Sequence, residues 1–312
     1  MKFSKQFKKI EGDASFRKFY RNKKKNSIIV LANKEKNKNL LVYDAVNKIL
    51  IKNKILAPKL LNQYYYKNFI EIQDLGAKTI YQLLKQKKIN RYLILKKVIN
   101  VLNDVQLIKD KKIKNFKNQL YFIKTYNNQV LFNETKLFCD WYVPKKLSKN
   151  KSIKFNHQFK KEVKYLLSKL NYKNDTFVHR DFHVSNLMYL KNKIGLIDNQ
   201  DALIGNKAYD LASLIDDVRF KTTNELKKKV YDYFLKKNNK IQNSKFKIDF
   251  AILSILRNLK IIGIFMRLAV RDNKKKYLKL IPYAWEMIHY RMSQNKIFDN
   301  LNFLLKHNLP KI

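Results

Sequence analysis

Glycine, proline and cysteine are all scarce in this chain of 312 residues, with five, four and one respectively. The lone Cys139 excludes an intrachain disulfide framework and fits a reducing compartment, so a cytoplasmic setting is expected. Long apolar runs are missing too. Stretches such as 261-IIGIFM-266 fall far short of the roughly 20 residues that span a bilayer. The start, MKFSKQFKKIEGDASF, is basic but has no apolar stretch of the kind a secretory signal carries. No membrane partner is expected. Acid is thin as well: 24 Asp and Glu stand against 68 Lys and Arg, a formal net charge of +44.

Such a balance suits a protein that binds phosphate backbones by counterion release. Here, however, the charge is mostly lysine and is scattered along the whole length, with asparagine and isoleucine abundant beside it. That trio is what AT-rich coding produces. No basic region is interleaved with a base-stacking motif, so nucleic acid is not the expected partner. The charge can still concentrate anionic substrates such as nucleotides near the surface. A hydrophobic content of 46% argues for a folded chain with a buried core. Nothing in the sequence speaks to oligomeric state.

The pattern changes along the chain. Segments 15–21 and 27–32 are short, aromatic or β-branched and separated by 22-NKKKN-26, which predicts an antiparallel hairpin. A helix is expected over 38–53, where Leu41, Val42, Ala45, Val46, Ile49 and Leu50 recur at helical spacing. Two more strands are expected over 60–76, closing on Gly76. From Thr79 on the periodicity is helical, over 79–88, 91–109, 130–140, 157–171, 207–219, 223–238, 247–271 and 276–292. The apolar runs 187-LMYL-190 and 194-IGLI-197, split by 191-KNK-193, predict a hairpin inserted among these helices. The expected class is α+β: a small antiparallel-sheet N-terminal lobe, residues 1–75, and a larger helical lobe, 76–312.

The chemistry sits in 179-HRDFHVSNLMYLKNKIGLIDNQDA-202. Phosphoryl transfer needs an oriented hydroxyl, a divalent metal bridging the phosphates, and positive charge over them. Asp181 can accept or orient the hydroxyl proton. Asn186, five residues on, and Asp198, after the hairpin, offer an amide oxygen and a carboxylate to Mg2+, which prefers oxygen ligands and keeps several waters. Each residue alone reads as a turn or cap residue; the order and spacing together make the functional case. His179 and His183 lie four apart but lack the glutamate and helical setting of a zinc-protease motif. His179 is therefore read as a structural hydrogen-bonder and His183 as a residue near the phosphates. The turn 12-GDASFR-17 has a single glycine before the first hairpin, a weak signal for a phosphate-covering loop.

The run 179-HRDFHVSNLM-188 with 196-LIDNQDA-202 and 209-YDLASL-214 resembles the aminoglycoside phosphotransferase and choline kinase-like superfamily, whose members have a bilobal protein-kinase-like fold. Blocks 12-GDASFRKFYR-21, 73-QDLG-76, 134-ETKLFCDWYV-143, 204-IGNKAYDLASL-214 and 257–282 are similar to those of bacterial kinases of N-acetylmuramate and N-acetylglucosamine. Those enzymes phosphorylate the anomeric hydroxyl of their sugars in peptidoglycan recycling. The resemblance implies ATP and Mg2+ as cofactors, Asp181 as base, and Asn186 and Asp198 as metal ligands. It also implies that Gly12, Asp13, Ala14, Ser15, Phe16 and Arg17 cover the phosphates, that Gln73, Asp74 and Leu75 meet adenine at the hinge, and that Arg180, His183, Gln200 and Asp201 lie near sugar or transferred phosphate. Two departures stand out. The family's I-D-F-Q-D-A reads I-D-N-Q-D-A, with Asn199 in place of the aromatic. The strand lysine that pairs nucleotide phosphates in protein kinases is missing, which leaves Lys34 or a neighbour, or Arg17, to supply that charge.

Two other functions compete. One keeps the fold and changes the acceptor to an aminoglycoside, an amino alcohol or another metabolite, because specificity resides in loops that a motif does not read. The other is a non-catalytic, basic nucleic-acid-binding pseudokinase, which the intact Asp181, Asn186 and Asp198 disfavour.

Overall fold

The structure, a computed structural model, describes residues 6–10, 17–22, 24–32 and 36–309. The candidate phosphate-covering residues Gly12, Asp13, Ala14, Ser15 and Phe16, and the candidate cation Lys34, lie outside the described residues. The chain divides into two compact units, Met1–Lys124 with Thr176–Ile204, and Thr125–Asp175 with Gly205–Ile312.

The first unit is built on an antiparallel sheet of five strands. These are β1 (Phe7–Ile10), β2 (Lys18–Asn22), β3 (Ser27–Leu31), β4 (Leu60–Tyr64) and β5 (Phe69–Gln73), in the spatial order β1-β2-β3-β5-β4. Side chains alternate across the pleat. Val30, Ile70 and Ile72 point to one face and pack with Leu40 and Tyr43 of helix α1 (Lys36–Lys52). Ile29, Leu31 and Phe69 point to the other, where Phe7, Tyr20 and Tyr64 cover them. Ser27 and Asn62 hydrogen-bond the buried Glu71 at 2.5 and 2.9 Å, which satisfies a carboxylate inside the sheet.

Helices α2 (Ile80–Leu84) and α3 (Arg91–Gln106) follow, then a short hairpin of β6 (Lys112–Lys114) and β7 (Leu120–Phe122). Thr79 and Gln82 form a reciprocal capping box that starts α2. Strand β8 (Thr176–Val178) leads into the motif, and β9 (Leu187–Leu190) pairs antiparallel with β10 (Lys193–Leu196), the hairpin expected from the two apolar runs. Tyr189 N–H to Lys78 O (2.7 Å) and Leu196 N–H to Leu56 O (2.8 Å) fasten this hairpin within the unit.

The second unit is helical: α4 (Asn128–Thr135), α5 (Lys149–Ser168), α6 (Ala208–Ile215), α7 (Asn224–Lys237), α8 (Asn243–Arg271), α9 (Ile281–Met292) and α10 (Asp299–Asn308). Its axis is α8, 29 residues long and buried along most of its length. The expected helix 130–140 does not run through. It ends at Thr135, and a π-helical turn, Phe138–Tyr142, takes over. That turn presents Phe138 to Tyr142 and Trp285 at centroid distances of 5.2 and 5.8 Å. Gly263 of α8 lets the two backbones meet: a Cβ there would stand 2.4 Å from the Leu137 carbonyl. The 134–143 and 257–282 blocks singled out in the sequence are thus one packed junction. A buried ion cluster lies elsewhere in this unit, where Asp216 accepts from Arg291 Nε (2.7 Å), Lys227 Nζ (2.9 Å) and Ser254 Oγ (2.6 Å). Among the described residues no helix is long and apolar enough to cross a membrane.

Candidate active site

Every described residue of the motif 179–202, and of the segments facing it, belongs to the first unit. The loop after β8 turns sharply because Arg180 adopts a left-handed conformation (φ 73°), and Asp198 does the same after β10 (φ 65°). Aspartate tolerates that region; arginine seldom enters it. Such conformations cost about 1–3 kcal/mol and persist where the surroundings over-determine them. Here the loop is tied on itself: the Asp181 carbonyl accepts from the His183 N–H (2.9 Å) and from Asn186 Nδ2 (3.1 Å). An Ile197 N–H to Asn186 O bond of 3.1 Å sets Asn186 beside the strand that ends at Asp198.

Asn186 and Asp198 both line a cavity of about 320 Å³. Its walls are apolar where Phe19, Ile72 and Met188 contribute, and its rim carries Gln73, Asp74 and Leu75. A slot with apolar walls and one polar end suits a planar base with a charged tail. The rim is cross-braced: Asp74 accepts from Arg21 Nε (2.5 Å) and Nη2 (3.1 Å) and from the Gly76 N–H (2.8 Å), while Arg21 Nη2 also donates to Gly76 O (2.7 Å).

The donor chemistry around Asp198 fits a hard cation. The Asn186 amide nitrogen is engaged by the Asp181 carbonyl and lies 3.3 Å from His183 Nε2, so its oxygen is the atom left for a cation. With Asp198 this makes two oxygen donors, the partial shell that Mg2+ completes with phosphate and water. Among the described residues there is no cluster of three or more His, Cys, Asp and Glu that could hold a metal, so a transition-metal cage has no candidate there. Desolvation pushes the Asp198 carboxyl above its usual range, Arg17 pulls it back, and the neighbouring Asp181 and Asp201 charges push it up again. With 36% of the Asp198 side chain still facing solvent, water relieves part of that penalty.

Arg17 is buried, and its guanidinium donates to Asp198 Oδ1 (2.6 Å) and Gln200 Oε1 (2.5 Å) while lying over Phe19 and Tyr43. Gln200 also donates to Asp201 Oδ2 at 2.6 Å. Arg180 reaches the Asp201 carbonyl at 3.1 Å, and the Asp201 side chain is itself exposed. Arg17 and Gln200 therefore meet at Asp198, while Asp201 is bonded to Gln200 and Arg180 to Asp201. His183 is buried, with its Nε2 3.3 Å from the amide nitrogen of Asn186. His179 is fully buried and hydrogen-bonded, in the structural role expected of it.

Three contributors escaped the sequence reading: Arg21, and Tyr43 and Asn47 on α1. Asn47 carried a usable signal. It sits one helical turn after Tyr43 and is buried on α1, and a buried amide marks a hydrogen-bond partner across the core.

A five-stranded antiparallel sheet followed by a mostly helical remainder is the α+β, protein-kinase-like class of fold. The chain belongs to the phosphotransferase enzyme family, whose model matches residues 6–238. It is a phosphotransferase that uses a hydroxyl acceptor. Among its relatives, an N-acetylmuramate/N-acetylglucosamine kinase of Neisseria meningitidis is 27% identical over 86% of this chain and 80% of its own length. A kinase of the same name from Pseudomonas aeruginosa is 25% identical over 96% and 87%. Two solved structures share the fold. A choline/ethanolamine kinase family protein of Mesorhizobium loti has a TM-score of 0.64 at 10% identity, covering 96% of this chain and 92% of its own. An ADP-bound aminoglycoside phosphotransferase has a TM-score of 0.60 at 15% identity, covering 91% and 93%.

Proposed function

We propose that this enzyme transfers the γ-phosphoryl group of ATP to the anomeric hydroxyl of N-acetylmuramate or N-acetylglucosamine, as a cytoplasmic step in cell-wall recycling. The observation that carries the reading is that Asn186 and Asp198 line one base-sized cavity, with the Asp181 carbonyl bonded to Asn186 and the Asp181 charge acting on Asp198, in a chain whose relatives bear that substrate name. Residues 1–75 act as the nucleotide lobe and 76–312 as the catalytic and acceptor lobe. The backbone of Gln73 to Leu75 meets adenine, and the 12–17 turn covers the phosphates. Asp181 accepts the proton of the sugar hydroxyl as its oxygen attacks the γ-phosphorus; the bond to the β-phosphate oxygen breaks and ADP leaves. Asn186 and Asp198 would hold Mg2+, which when bound offsets charge on the phosphates. Arg17 is the preferred phosphate-pairing cation, supported by its buried position on Asp198 and Gln200. Arg180, His183, Gln200 and Asp201 order the acceptor side.

The test is an acceptor screen with Mg-ATP that follows ADP release, with phosphorus NMR on the product. The expected product is a sugar 1-phosphate. Phosphorylation of a different alcohol while both amino sugars stay untouched would overturn the acceptor. Asp181→Ala should lower turnover by about 10²- to 10⁴-fold, with nucleotide affinity largely retained. Salt-sensitive nucleic-acid binding that survives Asp181→Ala, in a chain that turns nothing over, would favour the non-catalytic alternative.

A further inference from the structure

Asn199 stands where the resembling family carries an aromatic, and it is fully buried. A buried amide is costly unless each of its polar atoms is bonded. Nδ2 of Asn199 donates to Asn47 Oδ1 (2.8 Å) and to Leu196 O (3.0 Å), and Oδ1 lies 2.8 Å from His179 Nε2.

The directions of these bonds follow from the histidine. The Asp181 N–H donates to His179 Nδ1 at 3.2 Å, so Nδ1 carries the lone pair and Nε2 the proton. A second contact agrees, since Nε2 lies 3.2 Å from the Ile197 carbonyl, which can only accept. Asn199 Oδ1 must then be the acceptor from His179, which orients its amide nitrogen toward Asn47. Asn47 lies on α1 one helical turn after Tyr43. Tyr43 lines the cavity.

Asp181, on its catalytic loop, is thus joined through its own backbone N–H to a side-chain chain that ends at Asn47 on α1, one helical turn from the cavity-lining Tyr43. We propose that Asn47 and Asn199 are positioning residues for phosphoryl transfer: they register α1 against the catalytic loop and hold the Asp181 backbone. An aromatic at residue 199 could fill the same space but would leave Asn47 and His179 without these partners. This proposal rests on the reading of Asp181 as the base.

The experiment compares wild type with Asn47→Leu, Asn199→Leu and the double variant. It measures kcat and KM for both substrates, melting temperature, and the 15N imidazole spectrum of His179. Each single variant should lose about 10-fold in kcat with KM changed by no more than about twofold, and the double variant should be no worse than the poorer single. In wild type the spectrum should show the Nε2–H tautomer alone, and Asn199→Leu should shift or broaden it. Additive losses, changes confined to KM or melting temperature, or an Nδ1–H tautomer in wild type would each overturn the relay. Failure of wild type to phosphorylate any acceptor would instead refute the kinase reading. The imidazole spectrum, recorded without substrate, still decides the relay, which fails if Asn199→Leu leaves it unchanged.

Discussion

Replacing Gly263 by alanine should destabilise the second unit, against what helix propensity alone would give. Gly263 lies well inside α8, and at an open mid-helix position the change to alanine gains about 1 kcal/mol. Here the new Cβ would meet Leu137 C and O at 2.4 Å each and Phe138 N at 2.6 Å. Carbon contacts settle near about 3.5–4.0 Å, so roughly 1 Å of separation is missing. All three obstacles are backbone, so no rotamer change relieves them. The turn that carries them is braced on its far side by Phe138 against Tyr142, Phe159 and Trp285. Forcing one methyl into a filled core costs about 1–3 kcal/mol, and a backbone obstacle belongs at the upper end. Set against the propensity gain, the net loss is about 2 kcal/mol, or a melting temperature lower by roughly 4 °C or more. Calorimetry or a circular-dichroism melt reads this directly. A variant that melts at or above wild type would refute the close-contact account of the α8 junction.

Asp216→Asn should cost about 3–5 kcal/mol, because it strips charge from a buried cluster and leaves Lys227 and Arg291 facing each other uncompensated; urea titration measures it. Burial disfavours the Asp216 carboxylate, but the Lys227 and Arg291 charges outweigh that and hold its pKa well below the ordinary carboxylate range. A depressed pKa stabilises above the unfolded value of about 3.9 and loses that contribution as pH falls toward the folded value, so wild type should weaken below about pH 4 and Asp216→Asn should show a flatter acid slope. Burial, helped by Asp140, pushes the Cys139 thiol up to about 12, so a thiol reagent at pH 8 should label native protein only as fast as it unfolds; immediate labelling would contradict the buried position. Arg21→Met frees Asp74 and the Gly76 carbonyl at the cavity rim and should raise the nucleotide KM by about 10-fold with little change in kcat; an unchanged KM would remove this rim from nucleotide binding.

What was legible in the sequence followed from local pattern. Helix α3 declares itself through its apolar spacing, and the β9–β10 hairpin through two apolar runs and a polar turn. Elements held by distant partners were not legible. Strand β1 reads FKKI, two of its four residues lysine, and exists because β2 pairs with it. The first turns of α5, 149-KNKSIK-154, carry little apolar periodicity, so the helix was expected to begin only near residue 157. Helix α10 was not anticipated at all, and the helix expected over 79–88 shrinks to Ile80–Leu84. In the site, the order Asp181, Asn186, Asp198 was legible because the chain itself spaces those residues. Arg21 was not, because its role depends on a carboxylate 53 residues away.

Helix α8 has one more implication. It packs against the π-helical turn, α4, α6 and α9, and most of its middle is sealed from water. No stretch of its middle can open without parting several of those contacts at once, so its central amides should exchange with deuterium only through wholesale opening of the unit. They offer an internal clock: their exchange reports the free energy of that opening, while the ends of the helix report local breathing against the same scale.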